Sequence, residues 1–278
     1  MTSVLLLRAA SRDVPDKYES SFVAAGYVPT SIPVLETILT HTDELARVLS
    51  SDTNTSSSGV ILTSARACEA WKNASDLVAA PSLARWCALP FYVVGKSTAS
   101  ALRELDNAPK DIRGEDSGNA EHLARYILND TRQMSGKLLY LTGDKNRDTL
   151  PSILASGGLV LHQIQVYETR GSAHFATDLE GLLSKGTDDN DSWWIVYFAP
   201  SAAEFVTPAL NLHFNFTGSK DDPPQKRRQA RVAAIGPTTR DFLRDSLKLH
   251  VHAVASKPTP DDLVSAIKAH DGANSVAA

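Results

Sequence analysis

Five short segments have the make-up of anion-binding turns. The turns are Thr63-Ser64 with Arg66 behind it, Gly95-Lys96-Ser97-Thr98, Gly143-Asp144-Lys145 with Arg147, Ala199-Pro200-Ser201, and Gly236-Pro237-Thr238-Thr239. All are rich in small and hydroxyl residues, and each stands between an apolar run and a helical pattern. Such a turn exposes backbone N–H groups at a helix start and adds hydroxyl donors, so an anion is its natural ligand. One helix N-terminus contributes only about 0.3–1 kcal/mol, so several must act together. Arg8, Arg66, Lys96, Lys145 and Arg147 fall at or near the expected strand tips and could add charge. Helix capping by Ser or Thr accounts for any one of these turns equally well, and the two uses share the same end of a helix.

Other chemistries are less well served. Gly95-Lys96-Ser97 resembles the end of a phosphate loop, but its first glycine would have to stand at Pro90. No G-x-G-x-x-G follows a strand, which argues against a nicotinamide oxidoreductase. No H-E-x-x-H, Ser-His-Asp or Cys-His pattern is present. His250 and His252 would share one side of a strand but lack a third ligand, so no metal is expected.

The elements that must hold these turns come from a repeat. Gly26-Tyr27-Val28 leads into Ile32-Pro33-Val34-Leu35-Glu36-Thr37, and Gly158-Leu159-Val160 leads into Ile164-Gln165-Val166-Tyr167-Glu168-Thr169. In both, the glycine stands eleven positions before the threonine. Further pairs follow in the same order: Val4–Arg8 with Leu138–Thr142, Gly59–Ser64 with Trp194–Ala199, Tyr92–Thr98 with Ala233–Thr239, and Glu121-His122-Leu123 with Asp261-Asp262-Leu263. The chain is therefore a tandem duplication of a βα series. Tyr167 has Leu35 as its twin, so the position accepts an apolar residue and one copy alone carries a hydroxyl. A packing role and a functional role both fit that asymmetry.

Taken in order, strands are expected at Val4–Arg8, Val28–Glu36, Gly59–Leu62, Phe91–Val94, Lys137–Leu141, Val160–Glu168, Trp193–Phe198, Arg231–Ile235 and His250–Val254. Helices are expected at 16–25, 43–49 with Thr42 as cap, 65–71, 76–86, 98–105, 119–128, 148–155, 178–183, 201–210, 238–247 and 261–269. Residues 50–58 read as a mobile loop and 213–230 as a surface insertion. Strands alternating with helices give α/β with parallel sheets, and ligands of such sheets bind at the carboxyl ends of the strands.

The chain has 278 residues, 42% hydrophobic and 22% charged, enough for two domains that each bury a core. A net charge of −4 without a basic stripe argues against nucleic-acid binding. The two cysteines, Cys68 and Cys87, have no close partner, which fits a reducing, cytoplasmic setting. No stretch approaches the roughly 20 apolar residues of a membrane span.

The combination resembles the uroporphyrinogen-III synthase family. The residues that carry it are Ile32-Pro33-Val34 with Glu36, Thr63-Ser64-Ala65-Arg66-Ala67, Val93-Val94-Gly95 with Thr98-Ala99, Gly118-Asn119-Ala120-Glu121, Val166-Tyr167-Glu168-Thr169, Ala234-Ile235-Gly236-Pro237-Thr238-Thr239 and Pro258-Thr259-Pro260. The resemblance spans nearly the whole chain. It departs from the family at Ala65 and Ala199-Pro200, where relatives often have Pro after Ser and Ser-Pro, and in the insertion around 213–230.

The resemblance implies two doubly wound parallel-sheet domains of duplicated origin, joined by a two-stranded β linker, with the active site in the cleft between them. Domain one would be 1–36 plus 170–278 and domain two 37–169, with crossings near 32–37 and 164–169. It also implies a cofactor- and metal-free monomeric hydro-lyase that converts hydroxymethylbilane to uroporphyrinogen III, with loss of water and inversion of ring D. The turns and cations named above would bind the eight carboxylates of that substrate, and Tyr167 would hydrogen-bond the departing hydroxyl. A phenol is a weak acid, so help rather than necessity is expected of it. A non-enzymatic two-domain anion-binding or sensor protein is the rival reading.

Overall fold

A computed structural model describes residues 2–11, 14–51, 57–130, 136–184, 192–216 and 227–275. In chain order the elements begin with β1 (Ser3–Leu7), α1 (Lys17–Ala24), β2 (Val28–Ser31), β3 (Leu35–Leu39), α2 (Thr42–Ser50) and β4 (Ser57–Leu62). Next come α3 (Ala65–Ser75), α4 (Ala80–Cys87), β5 (Pro90–Val93), α5 (Lys96–Arg103), β6 (Asp111–Arg113) and α6 (Ala120–Asp130). The second copy supplies β7 (Lys137–Gly143), α7 (Thr149–Ser156), β8 (Val160–Gly171), α8 (Phe175–Ser184), β9 (Trp193–Tyr197) and α9 (Pro200–His213). The chain ends with β10 (Phe214–Asn215), β11 (Arg228–Ala234), α10 (Pro237–Asp245), β12 (Ala253–Val254) and α11 (Pro260–Ser275).

The residues gather into two compact units, Met1–Glu36 with Arg170–Ala278, and Thr37–Thr169. The sheet of the first unit runs β10-β11-β9-β1-β2, with β12 also on β11. The other sheet runs β3-β8-β7-β4-β5-β6. Strands β2-β1-β9-β11-β12 and β8-β7-β4-β5-β6 thus follow one plan, and the pairs within each series are parallel. In repeat terms β1 corresponds to β7, yet β1 pairs with β9 and β7 with β4. Each sheet is therefore completed by the first two strands of the other copy.

The near-continuous apolar strands follow from burial on both faces. In β1, Leu5 and Leu7 join one core with α8 and α9, while Val4 and Leu6 join another with Phe22 and α11. In β4, Val60 and Leu62 face α2, α3 and α5, while Ile61 faces α6 and α7.

Several boundaries differ from those expected from the sequence. Val28–Glu36 is not one strand: it breaks at Ile32-Pro33-Val34 into β2 and β3, whereas its twin β8 runs on through Gln165. Pro33 has no N–H to donate and a fixed φ, which is why only this copy breaks. His41, not Thr42, is the N-cap of α2, at φ 53. The expected helix 76–86 is shortened to α4, because α3 runs on to Ser75, residues 76–79 are not helical, and α4 starts afresh at Ala80 with Pro81 in its first turn. The strand expected at 250–254 is confined to Ala253–Val254. There the Val232 N–H donates to His252 Nδ1 (3.1 Å), so a side chain takes the place of a backbone carbonyl in the ladder. Short strands β6 and β10 carried no clear signal. In the expected loop 50–58, residues 52–56 lie outside the described residues, and β4 already begins at Ser57. Of the insertion 213–230, residues 217–226 lie outside as well.

Candidate active site

Parallel strands put all their carboxyl ends on one edge of a sheet. In the second unit, Leu62 of β4 lies level with Val93 of β5 and Leu141 of β7. Thr63-Ser64, Gly95–Thr98 and Gly143–Lys145 therefore leave from the same edge. In the first unit, Leu7 of β1 and Ala234 of β11 are both level with Tyr197 of β9. Arg8, Ala199–Ser201 and Gly236–Thr239 leave from that edge. Each sheet thus gathers its own set of the residues singled out in the sequence.

Capping explains one of these turns and not the others. Ser64 is the N-cap of α3, and its Oγ accepts the Ala67 N–H at 3.2 Å. The caps of α5, α9 and α10 are Gly95, Ala199 and Gly236, none of which offers a side-chain acceptor. The first-turn N–H groups of these helices have no intrahelical partner, so they remain available to an anion. Gly95 stands at φ +82, where a residue with a side chain is strained. Gly236 has extended backbone, with open space where a Cβ would point. Thr98 and Thr239 are 5% and 3% exposed, packed in the first turns of α5 and α10, whereas Ser97, Ser201 and Thr238 are exposed.

The cations divide similarly. Arg8 is already engaged: its guanidinium bonds Asp16 at 2.9 Å and lies 4.9 Å from the Tyr18 ring centroid. Burial raises the Asp16 carboxyl, but the Ser11 and Glu19 N–H groups and Arg8 outweigh it and hold Asp16 at about 2. Arg66 pairs with Glu69 and Lys96 with Asp116, both on exposed surface where an ion pair contributes little. Lys145 and Arg147 are exposed and make no ion pair among the described residues.

Tyr167 is half-buried near the end of β8, with its ring against the core of the second unit. Its carbonyl accepts the Asp144 N–H at 3.2 Å, and Ser64 Oγ donates to its phenolic oxygen at 3.1 Å. Gly143 is its register partner on β7. The sequence marked Ser64, Gly143 and Tyr167 separately and did not reveal that they meet. The repeat held a usable signal, since their counterparts Ala199, Ala9 and Leu35 all lack the matching feature.

His252 belongs to a separate cluster. Its ring centroid lies 4.5 Å from that of His250 and 5.5 Å from that of His270. Burial, with the charges of His250, His270 and Arg231 behind it, pushes the His252 imidazole down to about 4. Among the described residues no group of three or more His, Cys, Asp or Glu side chains could hold a metal ion. No described helix is long and apolar enough to cross a membrane.

The comparisons with known proteins cover almost the whole chain. A family model described as "Uroporphyrinogen-III synthase HemD" matches residues 16–265. The uroporphyrinogen-III synthase of Saccharomyces cerevisiae is 29% identical over 277 residues, covering 95% of either chain. That of Schizosaccharomyces pombe is 29% identical over 281 residues, covering 99% of this chain and all of its own. Among solved structures, the uroporphyrinogen-III synthetase of Helicobacter pylori aligns over 97% of this chain and 99% of its own, with a TM-score of 0.48 and 18% identity. With the match running from the cap of α1 into α11, and its residues including all the strand-end turns, this chain belongs to the uroporphyrinogen-III synthase family.

Proposed function

We propose that this chain catalyses the uroporphyrinogen-III synthase reaction, closing hydroxymethylbilane with loss of water and inversion of ring D. The observation that carries the reading is the set of helices α5, α9 and α10, whose N-termini lack a side-chain cap and stand at the carboxyl ends of parallel strands. A substrate with eight carboxylates needs such positive ends on a protein whose net charge is −4. Lys145 and Arg147 add mobile charge in one unit, whereas Arg8 is held by Asp16 and acts through packing.

Catalysis on this reading is mainly orientation: carboxylates held at fixed points bend the chain so that the ring to be inverted meets its partner through a spiro intermediate. Closure without inversion, the course of the unaided substrate, is thereby excluded. Tyr167 assists the first bond-breaking step. As the C–O bond breaks, the electron pair leaves with oxygen, the phenolic proton completes the water, and the pyrrole nitrogens take up the positive charge. The proton released from carbon after the last ring bond forms restores the phenol.

The test is to give the protein fresh hydroxymethylbilane and determine the isomer formed. Type III product at a rate above spontaneous closure is expected; type I product at the spontaneous rate would overturn the assignment. The family-wide match sets the sensor reading aside. A cytoplasmic monomer is the setting proposed for the enzyme.

A further inference from the structure

We propose that Ser64 is a positioning residue for Tyr167, and that it fixes the direction in which the phenol hands over its proton. This rests on the acid role given to Tyr167 above. Ser64 Oγ receives the Ala67 N–H at 3.2 Å, which anchors it at the start of α3. Its own proton is directed to Tyr167 Oη at 3.1 Å. The phenolic oxygen therefore acts as acceptor toward the protein, and among the described residues no acceptor takes the phenol's own proton. A hydroxyl that accepts a hydrogen bond is also the better donor, because the two bonds polarise one another. Ser64 thus holds Tyr167 as a donor aimed away from the protein.

Two further contacts make this a built arrangement. The Asp144 N–H holds the Tyr167 carbonyl at 3.2 Å, and Asp144 Oδ1 accepts the Thr169 N–H at 3.2 Å, so the end of β8 is fixed beside β7. Gly143 supplies the space in which the ring lies: a Cβ there would stand 2.9 Å from the phenolic oxygen and closer to the ring carbons.

The duplication provides an internal comparison. Ala199 is the N-cap of α9 as Ser64 is of α3, and it has no hydroxyl. The counterpart of Tyr167 is Leu35, and that of Gly143 is Ala9. Hydroxyl cap, phenol and missing Cβ occur together in one copy and are absent together from the other. A serine present only to cap its helix has no reason to vary with a tyrosine 103 positions away.

The test combines kinetics with a probe that does not depend on activity. Ser64→Ala is expected to lower kcat by about 10- to 100-fold, the loss of one strong hydrogen bond in the transition state, with KM little changed. Ser64→Thr, which keeps both acceptor and donor, restores it. Ser64→Asp keeps the cap but can only accept, so it draws the phenolic proton inward and lowers kcat in a protein that still folds. In the Tyr167→Phe background Ser64→Ala should cost nothing more; independent, multiplying losses would overturn the proposal. In protein labelled with 13C at tyrosine Cζ, the line missing from Tyr167→Phe should move in Ser64→Ala and stay in place in Ser64→Thr. An unmoved line shows that the contact does not exist and overturns the proposal whatever the kinetics. Wild-type kcat in Tyr167→Phe overturns the acid role on which the proposal depends, even if the line moves.

Discussion

Gly143 and Tyr167 are register partners on neighbouring strands, and the phenol occupies the space that a side chain on Gly143 would fill. Gly143 does not need glycine for its backbone angles, so the missing Cβ serves the ring alone. Gly143→Ala is expected to leave the fold intact, because the ring tip can swing aside about its side-chain torsions. The swing takes Tyr167 away from Ser64, so kcat should fall about as far as in Tyr167→Phe. Steady-state kinetics of the two variants check this; a Gly143→Ala enzyme with wild-type kcat counts against the placement of the phenol.

Gly95 and Gly236 are counterparts that make different demands. At φ +82 and ψ 157, a region essentially confined to glycine, Gly95→Ala should cost about 1–3 kcal/mol, seen as a lower urea midpoint. Gly236→Ala, with extended backbone and open space around it, should leave the midpoint unchanged. Both add a methyl group at a helix N-terminus without a side-chain cap, so both should raise KM for hydroxymethylbilane. Equal midpoints for the two variants would contradict the assigned backbone.

Asp16 links acid stability to the loop after β1. Its carboxyl titrates at about 2 in the folded chain and at the ordinary 3.8 when unfolded. A carboxyl held low stabilises the fold above about pH 4, and the stabilisation fades as pH falls toward 2. Asp16→Asn should lower stability at pH 7 by about 2 kcal/mol and flatten the pH dependence in that window. Denaturant titrations between pH 2 and 7 measure it.

His252 should make the first unit sensitive to milder acid. The Val232 N–H donates to Nδ1, so the folded chain needs the neutral ring with its proton on Nε2. The ring titrates at about 4 when folded and at 6.5 when unfolded, so stability present above pH 6.5 is lost as pH falls toward 4. His252→Gln keeps an acceptor without a titrating ring. Its unfolding midpoint should change less than that of the wild type between pH 7 and 4.5.

The sequence by itself determined the duplicated βα order, the parallel sheets and the family. These are local or periodic properties: apolar runs of strand length, glycines at helix ends and turn residues at fixed offsets. Gly26 and Gly158 show why, since both lie at positive φ (86 and 83), a conformation that side chains disfavour wherever the chain is placed. Tertiary structure alone decided what required two distant segments to meet. It turns Arg8 onto Asp16, lets a His252 ring replace a ladder carbonyl, and brings Ser64 to Tyr167. Such meetings depend on which strands lie side by side, and hydrophobic periodicity reports only that a strand is buried, not beside which neighbour.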